Sequence, residues 1–319
     1  MNLERVEQIA KAVLYEGYML YPYRPSSVKN RQRFNFGVLY PKPYSDTQGG
    51  TDPFSMRTEC LIRGSADTRL EARLRFLQLR INSSDSSTQG TRPMGWQEAV
   101  ERDVVVPEYA LAQLCSGTLR HGFGFSAEAA VDSNRQQENV EGLAEISAER
   151  IDRNLFKLTF FVQNTGYLEA PADDRDGALM RSLVSTHAVL GVKSGEFISL
   201  LEPPEGLQEV TASCQNAGAW PVLVGDPGER DTMLASPIIL YDYPQTAPES
   251  AGDLFDGTEI DEILSLRIMT LTDEEKREIR ESDERARLIL DRTESMPEEQ
   301  FLKLHGAVRG LRPLKEDVG

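Results

Sequence analysis

LEARLRFLQLRI, residues 70–81, decides the fold class. Leu70, Ala72, Leu74 and Phe76 alternate with charged residues, and a period of two marks a strand with one face buried and one solvated. After Phe76 the phase slips by one residue and Leu77, Leu79 and Ile81 carry it on, which predicts a long strand with a bulge. LFKLTFFV (155–162) reads as a second strong strand, joined through the turn-like IDRN (151–154) to residues 143–150 as a hairpin. Solvated faces on several strands point to antiparallel pairing. Shorter strands are expected at EFISLL (196–201), WPVLVG (220–225) and SPIILYDY (236–243), between Pro- and Gly-bearing turns. NSSDSSTQGTRPMG (82–95) has the composition of a loop.

Helical periodicity brackets this β-rich centre. Leu3, Val6, Ile9, Ala10 and Val13 recur at helical spacing, which predicts a short N-terminal helix. A second helix is expected after Asp173–Asp174 and on through ALMRSLVSTHAVLG, with Leu179, Leu183, His187 and Leu190 on one face. TAPESAGDLFDG (246–257) reads as a linker or docking segment. Beyond it, Ile260, Ile263, Leu264, Arg267, Ile268 and Leu271 form one stripe. Thr272 with Glu275 matches a capping box, so a new helix is expected to start there and run through DEEKREIRESDERARLIL. Opposite charges four apart support it at Asp273–Arg277, Glu281–Arg285 and Asp283–Arg287. A last helix from Pro297 groups Phe301, Leu304, His305 and Val308. The expected class is α+β: a mainly antiparallel β core with flanking helices and a helical C-terminal segment. Three regions are expected: an N-terminal helix and arm (1–50), a mixed core (51–250) and a helical region (251–319).

A hydrophobic fraction of 39% over 319 residues supplies a sizeable core. No apolar run approaches the roughly 20 residues that cross a bilayer. Glu4 and Glu7 stand where an export signal carries basic residues, so a cytoplasmic location is expected. Cys60, Cys115 and Cys214 are odd in number and far apart, which fits a reducing compartment and free, buried thiols. A net charge of −16 argues against nonspecific nucleic-acid binding. The charge is uneven: residues 1–50 hold seven Lys/Arg against four Asp/Glu, and residues 249–319 hold eleven against nineteen. Acidic surface of this kind keeps a protein soluble; the sharper reading is that the basic arm meets an acidic surface, on this chain or on a partner.

Catalytic chemistry finds little support. His187 and His305 lie on apolar faces without a second ligand at helical spacing. GFGFSA (122–127) formally fits a dinucleotide fingerprint, but the preceding TLRH is no apolar strand, and glycines of a bulged strand explain it more simply. GDPGERD (225–231) gathers carboxylates without the ligand periodicity of a calcium loop. The chain has no P-loop, no nucleophile elbow and too few cysteines for a four-cysteine cluster. His121, between Arg120 and Gly122, is the centre of the alternative reading, an enzyme or small-molecule binder with an unfamiliar site. No cofactor and no metal are expected.

Aromatic and arginine residues cluster instead in the arm, where six of ten tyrosines fall within the first 44 residues. Tyr21, Tyr23, Arg24, Arg31, Arg33, Phe34 and Phe36 have the composition of an interface core, or of an arm packed internally. Asp253, Phe255, Asp256 and Glu259 make a second candidate surface in PESAGDLFDGTEIDEIL. LYEGYMLYPYRPSSVKNRQRFNFGVLYP (14–41) and SPIILYDYPQTAPESAGDLFDGTEIDEILSLRIMTLTDEEK (236–276) resemble an uncharacterised bacterial family found in [NiFe]-hydrogenase gene neighbourhoods. The resemblance covers about a fifth of the chain by the two ends and implies a part in hydrogenase expression, assembly or maturation. It carries no catalytic residue. The expected function is thus a non-catalytic accessory or assembly protein, its partner a hydrogenase subunit or maturation factor, with a homo-oligomer built from arm and tail as another arrangement.

Overall fold

The computed structural model describes residues 3–15, 18, 22–24, 27, 30, 33–82, 97–129, 135–167, 174–245, 265, 267–282 and 284–297. The chain forms two units, and neither follows the expected boundaries. The first joins Met1–Tyr18 to Gln32–Gln245, and the second joins Met19–Arg31 to Thr246–Gly319. The arm expected over 1–50 is thus shared between them.

The first unit is organised by one strand. β1 (Ser55–Asn82) runs for 28 residues and contains the decisive stretch. Its first half pairs antiparallel with β7 (Leu155–Asn164) and its second half with β2 (Gln97–Ala110). β8 (Val184–Ile198) lies along the opposite edge. The order is β3-β6-β7-β1-β8-β10-β9, where β3 is Leu119–Phe125, β6 Val140–Asp152, β9 Trp220–Leu223 and β10 Thr232–Ser236. Two short strands, β4 (Glu128–Ala129) and β5 (Arg135–Gln137), finish the far end of β1. Every pairing between these strands is antiparallel, and β6 and β7 form the expected hairpin.

The sheet curls. Phe76 of β1 meets Phe123 and Phe125 of β3 with ring centroids 6.0 and 5.7 Å apart, although two strands, β6 and β7, separate β3 from the N-terminal half of β1. Leu70, Ala72, Leu74 and Phe76 line the enclosed core with Ile146, Phe156, Leu158 and Phe160. The apolar phase slip has a different cause from the one expected. Residues 75–79 of β1 are buried on both faces, so Leu77 and Leu79 point to a second covered layer. The extra residue opposite Arg75–Leu77 belongs to β8, where Ser185 takes φ +53°. β1 bulges only earlier, between Gly64 and Arg69.

The outer layer is α1 (Leu3–Tyr15), whose Val6, Ala10 and Val13 pack on Val189, Val222, Val224 and Leu234. From Val6 onward its stripe matches the sequence expectation. Gly37 lets the returning chain cross β8: its carbonyl accepts from Thr186 N at 2.8 Å, and at φ +56° an added Cβ would meet Pro237 at 2.7 Å.

The helix expected over 174–190 is a correction. Only α4 (Arg175–Leu179) is helical, and Val184 to Ile198 is a central strand. A strand covered on both faces reads as an unbroken apolar run, and Leu183 and His187 share a face at either period. Likewise the strand expected at 236–243 lies earlier, at β10, and GDPGERD is the β9–β10 turn. There Glu229 accepts from Asp226 N at 3.0 Å, with positive φ at Gly225 and Gly228. Helices α2 (Lys42–Thr47), α3 (Leu111–Cys115) and α5 (Gln208–Ala212) are single turns.

The second unit contains α6 (Asp273–Ser282) and α7 (Glu284–Glu294). The capping box forms as expected: Thr272 N donates to Glu275 Oε2 at 2.8 Å, and Glu275 N to Thr272 Oγ1 at 3.3 Å. The single helix expected through residue 290 is two, folded antiparallel. Lys276–Glu294 at 3.0 Å and Arg280–Asp291 at 3.5 Å join them, whereas among the described residues Asp273 and Arg277 form no ion pair with each other. Folding back buries Ile279, Ala286, Ile289 and Leu290, which one straight helix with so thin a stripe would leave in water. The stripe from Ile260 falls largely, and the helix from Pro297 almost wholly, outside the described residues. Among the described residues no helix is long and apolar enough to cross a membrane.

Candidate interaction surfaces

The arm residues divide between packing and pairing. Arg33 is buried in the first unit, donating to Tyr18 O at 3.2 Å and Gln97 O at 2.8 Å. Its guanidinium stacks on Phe34 at 4.6 Å and Tyr18 at 5.6 Å. Phe34 is buried at φ +59°, a strained conformation for an aromatic residue, and Arg175 bonds the carbonyls of Arg33 and Phe34. In the second unit Tyr23 is buried at φ +58°, and Arg24 meets Glu275 at 3.1 Å and Glu278 at 3.7 Å. The basic arm thus finds an acidic surface on its own chain. Phe36 is partly exposed. Tyr21, Arg31, Asp253, Phe255, Asp256 and Glu259 lie outside the described residues, as does His305.

The histidines occupy different settings. His121 sits on edge strand β3 opposite Ala144 of β6, and Gly122 and Gly124 face outward from the same strand without a register shift. The glycine-rich run is therefore a strand, not a phosphate-binding turn, and it carries no bulge. His187 is wholly buried in β8 beside Arg75 of β1. Its Nδ1 lies 3.0 Å from Ser185 O, and Nε2 has no hydrogen-bond partner. Burial pushes its pKa down to about 4, against the Ser185 carbonyl and with the Arg75 charge. Arg75 reaches out to Glu7 at 3.0 Å and Glu101 at 3.7 Å, while Tyr15 donates to Glu101 at 2.6 Å. Ser185 Oγ donates to Val13 O at 2.8 Å. This polar node fastens α1 to the sheet. The cavity of about 10 Å³ between α1 and β1 has room for one water molecule, not for a substrate.

A second buried charge, Glu59, holds the 213–218 loop. It accepts from Gln215 N at 2.8 Å and from the Arg57 guanidinium, and Glu59 N donates to Asn216 Oδ1 at 2.9 Å. Burial alone would raise its pKa, but the Gln215 amide and Arg57 outweigh it and hold the carboxyl below its usual range. Burial raises the Cys60 thiol strongly and lifts Cys214 to about 11, so both are protonated at neutral pH and poor nucleophiles. Cys115, expected to be buried, is exposed at the end of α3. Among the described residues no three His, Cys, Asp or Glu side chains gather as metal ligands would.

The most conspicuous surface feature lies where a strand had been expected. Ile239 and Tyr241 are 75% and 82% exposed, and Leu201 is 50% exposed. Leu240 between them turns inward to the α1 layer. Asp242 anchors the segment, accepting from Ser199 Oγ at 2.5 Å and Leu223 N at 2.8 Å, and Tyr243 N donates to Leu223 O at 2.7 Å. Ser199 Oγ also accepts from Leu201 N at 3.2 Å, which ties the Leu201 backbone to the serine that holds Asp242. The apolar run had suggested burial; Pro237 and Pro244, which frame it and cannot donate to a ladder, were the available signal for a segment off the sheet. No family model matches the chain, and no curated protein matches it.

Proposed function

We propose that the chain is a non-catalytic accessory protein of the cytoplasm, acting through protein–protein surfaces in the assembly or maturation of a [NiFe]-hydrogenase. The ridge of Leu201, Ile239 and Tyr241 carries this reading. Large apolar side chains held in water by specific anchors are unfavourable unless a partner covers them. Two of the three lie in the 236–276 stretch whose resemblance points to hydrogenase gene neighbourhoods. The test is recovery of partners on an affinity-tagged chain from native cells, compared with an Ile239→Ser/Tyr241→Ser variant. Hydrogenase subunits or maturation factors should accompany the natural chain and be depleted from the variant. Their absence from both would overturn the assignment.

A further inference from the structure

The ridge is also an open edge. Backbone N–H and C=O groups of Ile239, Leu240 and Tyr241 make no hydrogen bond to the described residues, while Ile238 N is tied to Ser236 Oγ at 3.0 Å on one side and Tyr243 to Leu223 on the other. Side chains alternate out, in, out across the three residues. The edge of β9 beneath is closed by this segment at Leu223 and by the missing N–H of Pro221. Residues 239–241 therefore present the next unpaired backbone, with two large apolar side chains to grip whatever lies beside them.

Its charge setting is one-sided. Residues 199–245 contain seven Asp/Glu and a single Lys/Arg, Arg230. Several of these acids are tied to the ridge. Asp242 is in it; Glu202 N donates to Ser199 Oγ at 2.8 Å; Tyr243 Oη donates to Glu229 O at 2.9 Å. Glu202, Asp226 and Glu229 are exposed. An acidic rim around an apolar edge repels acidic chains and draws basic ones.

We propose that the 239–241 edge receives an extended, basic segment of the partner protein by strand addition, with alternate apolar side chains against Ile239 and Tyr241 and Lys or Arg facing the acidic rim. This rests on the reading of the ridge as a docking surface and names the chemistry of what docks. The probe is a fluorescein-labelled peptide alternating Lys with Val and Phe, titrated with the full chain and followed by anisotropy. Two controls accompany it: the same peptide with Glu for Lys, and one with alternate backbone nitrogens methylated. Binding of the basic peptide should weaken by roughly ten-fold in Ile239→Ser/Tyr241→Ser, whose unchanged circular dichroism shows it folded, and should weaken with added salt. Neither control peptide should bind comparably. Equal binding to the natural chain and the variant, or no binding at all, overturns the proposal. Tight binding of the Glu peptide that still depends on Ile239 and Tyr241 overturns the basic partner and leaves the docking surface standing. Equal binding of the methylated peptide overturns strand addition. Sedimentation showing a dimer that the double substitution dissolves would make a second copy the occupant and likewise overturn it.

Discussion

Replacing His187 by Gln should remove a specific part of the protein's acid sensitivity. His187 is fully buried next to Arg75, and its pKa is lowered from 6.5 to about 4. Between those values the unfolded chain binds a proton that the folded chain refuses, so folding stability falls as pH drops through 6.5 towards 4 and is unaffected by this group above neutrality. The full shift corresponds to about 3 kcal/mol, of which about 2 kcal/mol is already lost at pH 5. Other carboxylates titrate in the same range, so the informative quantity is a difference. Urea unfolding of the natural chain and of His187→Gln at pH 7.5 and pH 5.0 gives four free energies. The natural chain should lose about 2 kcal/mol more than the variant between the two pH values. Hydrogen exchange should place the early opening at α1, because Ser185 ties Val13 and Arg75 ties Glu7 next to the histidine. Equal pH dependence in the two proteins would refute the assignment of a buried neutral imidazole.

Phe76→Ala should cost about 4 kcal/mol in chemical denaturation, because it empties the contact between β1 and both rings of β3. Glu59→Gln should destabilise by about 2 kcal/mol at neutral pH, through loss of the charge that Gln215 N–H and Arg57 both address. That loss should shrink in acid: the lowered pKa means that Glu59 stabilises fully above its unfolded pKa and ceases to do so as pH falls through the folded one. Thr272→Ala should raise amide exchange at the start of α6 by about five-fold, the equivalent of a lost cap of about 1 kcal/mol, and leave β1 amides unchanged.

Local periodicity alone determined the long strand at 70–81, the β6–β7 hairpin, the N-terminal helix and the Thr272–Glu275 cap, because each depends on neighbours within a few residues. The α+β class followed from those elements, and the curled, antiparallel sheet agrees with it. Tertiary structure decided the rest. Only the covering of both faces of β8 by other elements turns a run with helical spacing into a strand and neutralises His187 there. Only the fold-back of α6 on α7 explains why a charged stretch with a thin stripe buries Ile279 and Leu290. The arm's composition suited either internal packing or an interface. Long-range pairing made the difference, by burying Tyr23, Arg33 and Phe34 and giving Arg24 the carboxylates of Glu275 and Glu278. Ile239 and Tyr241 show the converse: hydropathy marked them for the core, yet exposure depends on which strand β9 selects as its neighbour, and it selects β10, leaving the residues after Pro237 outside the ladder.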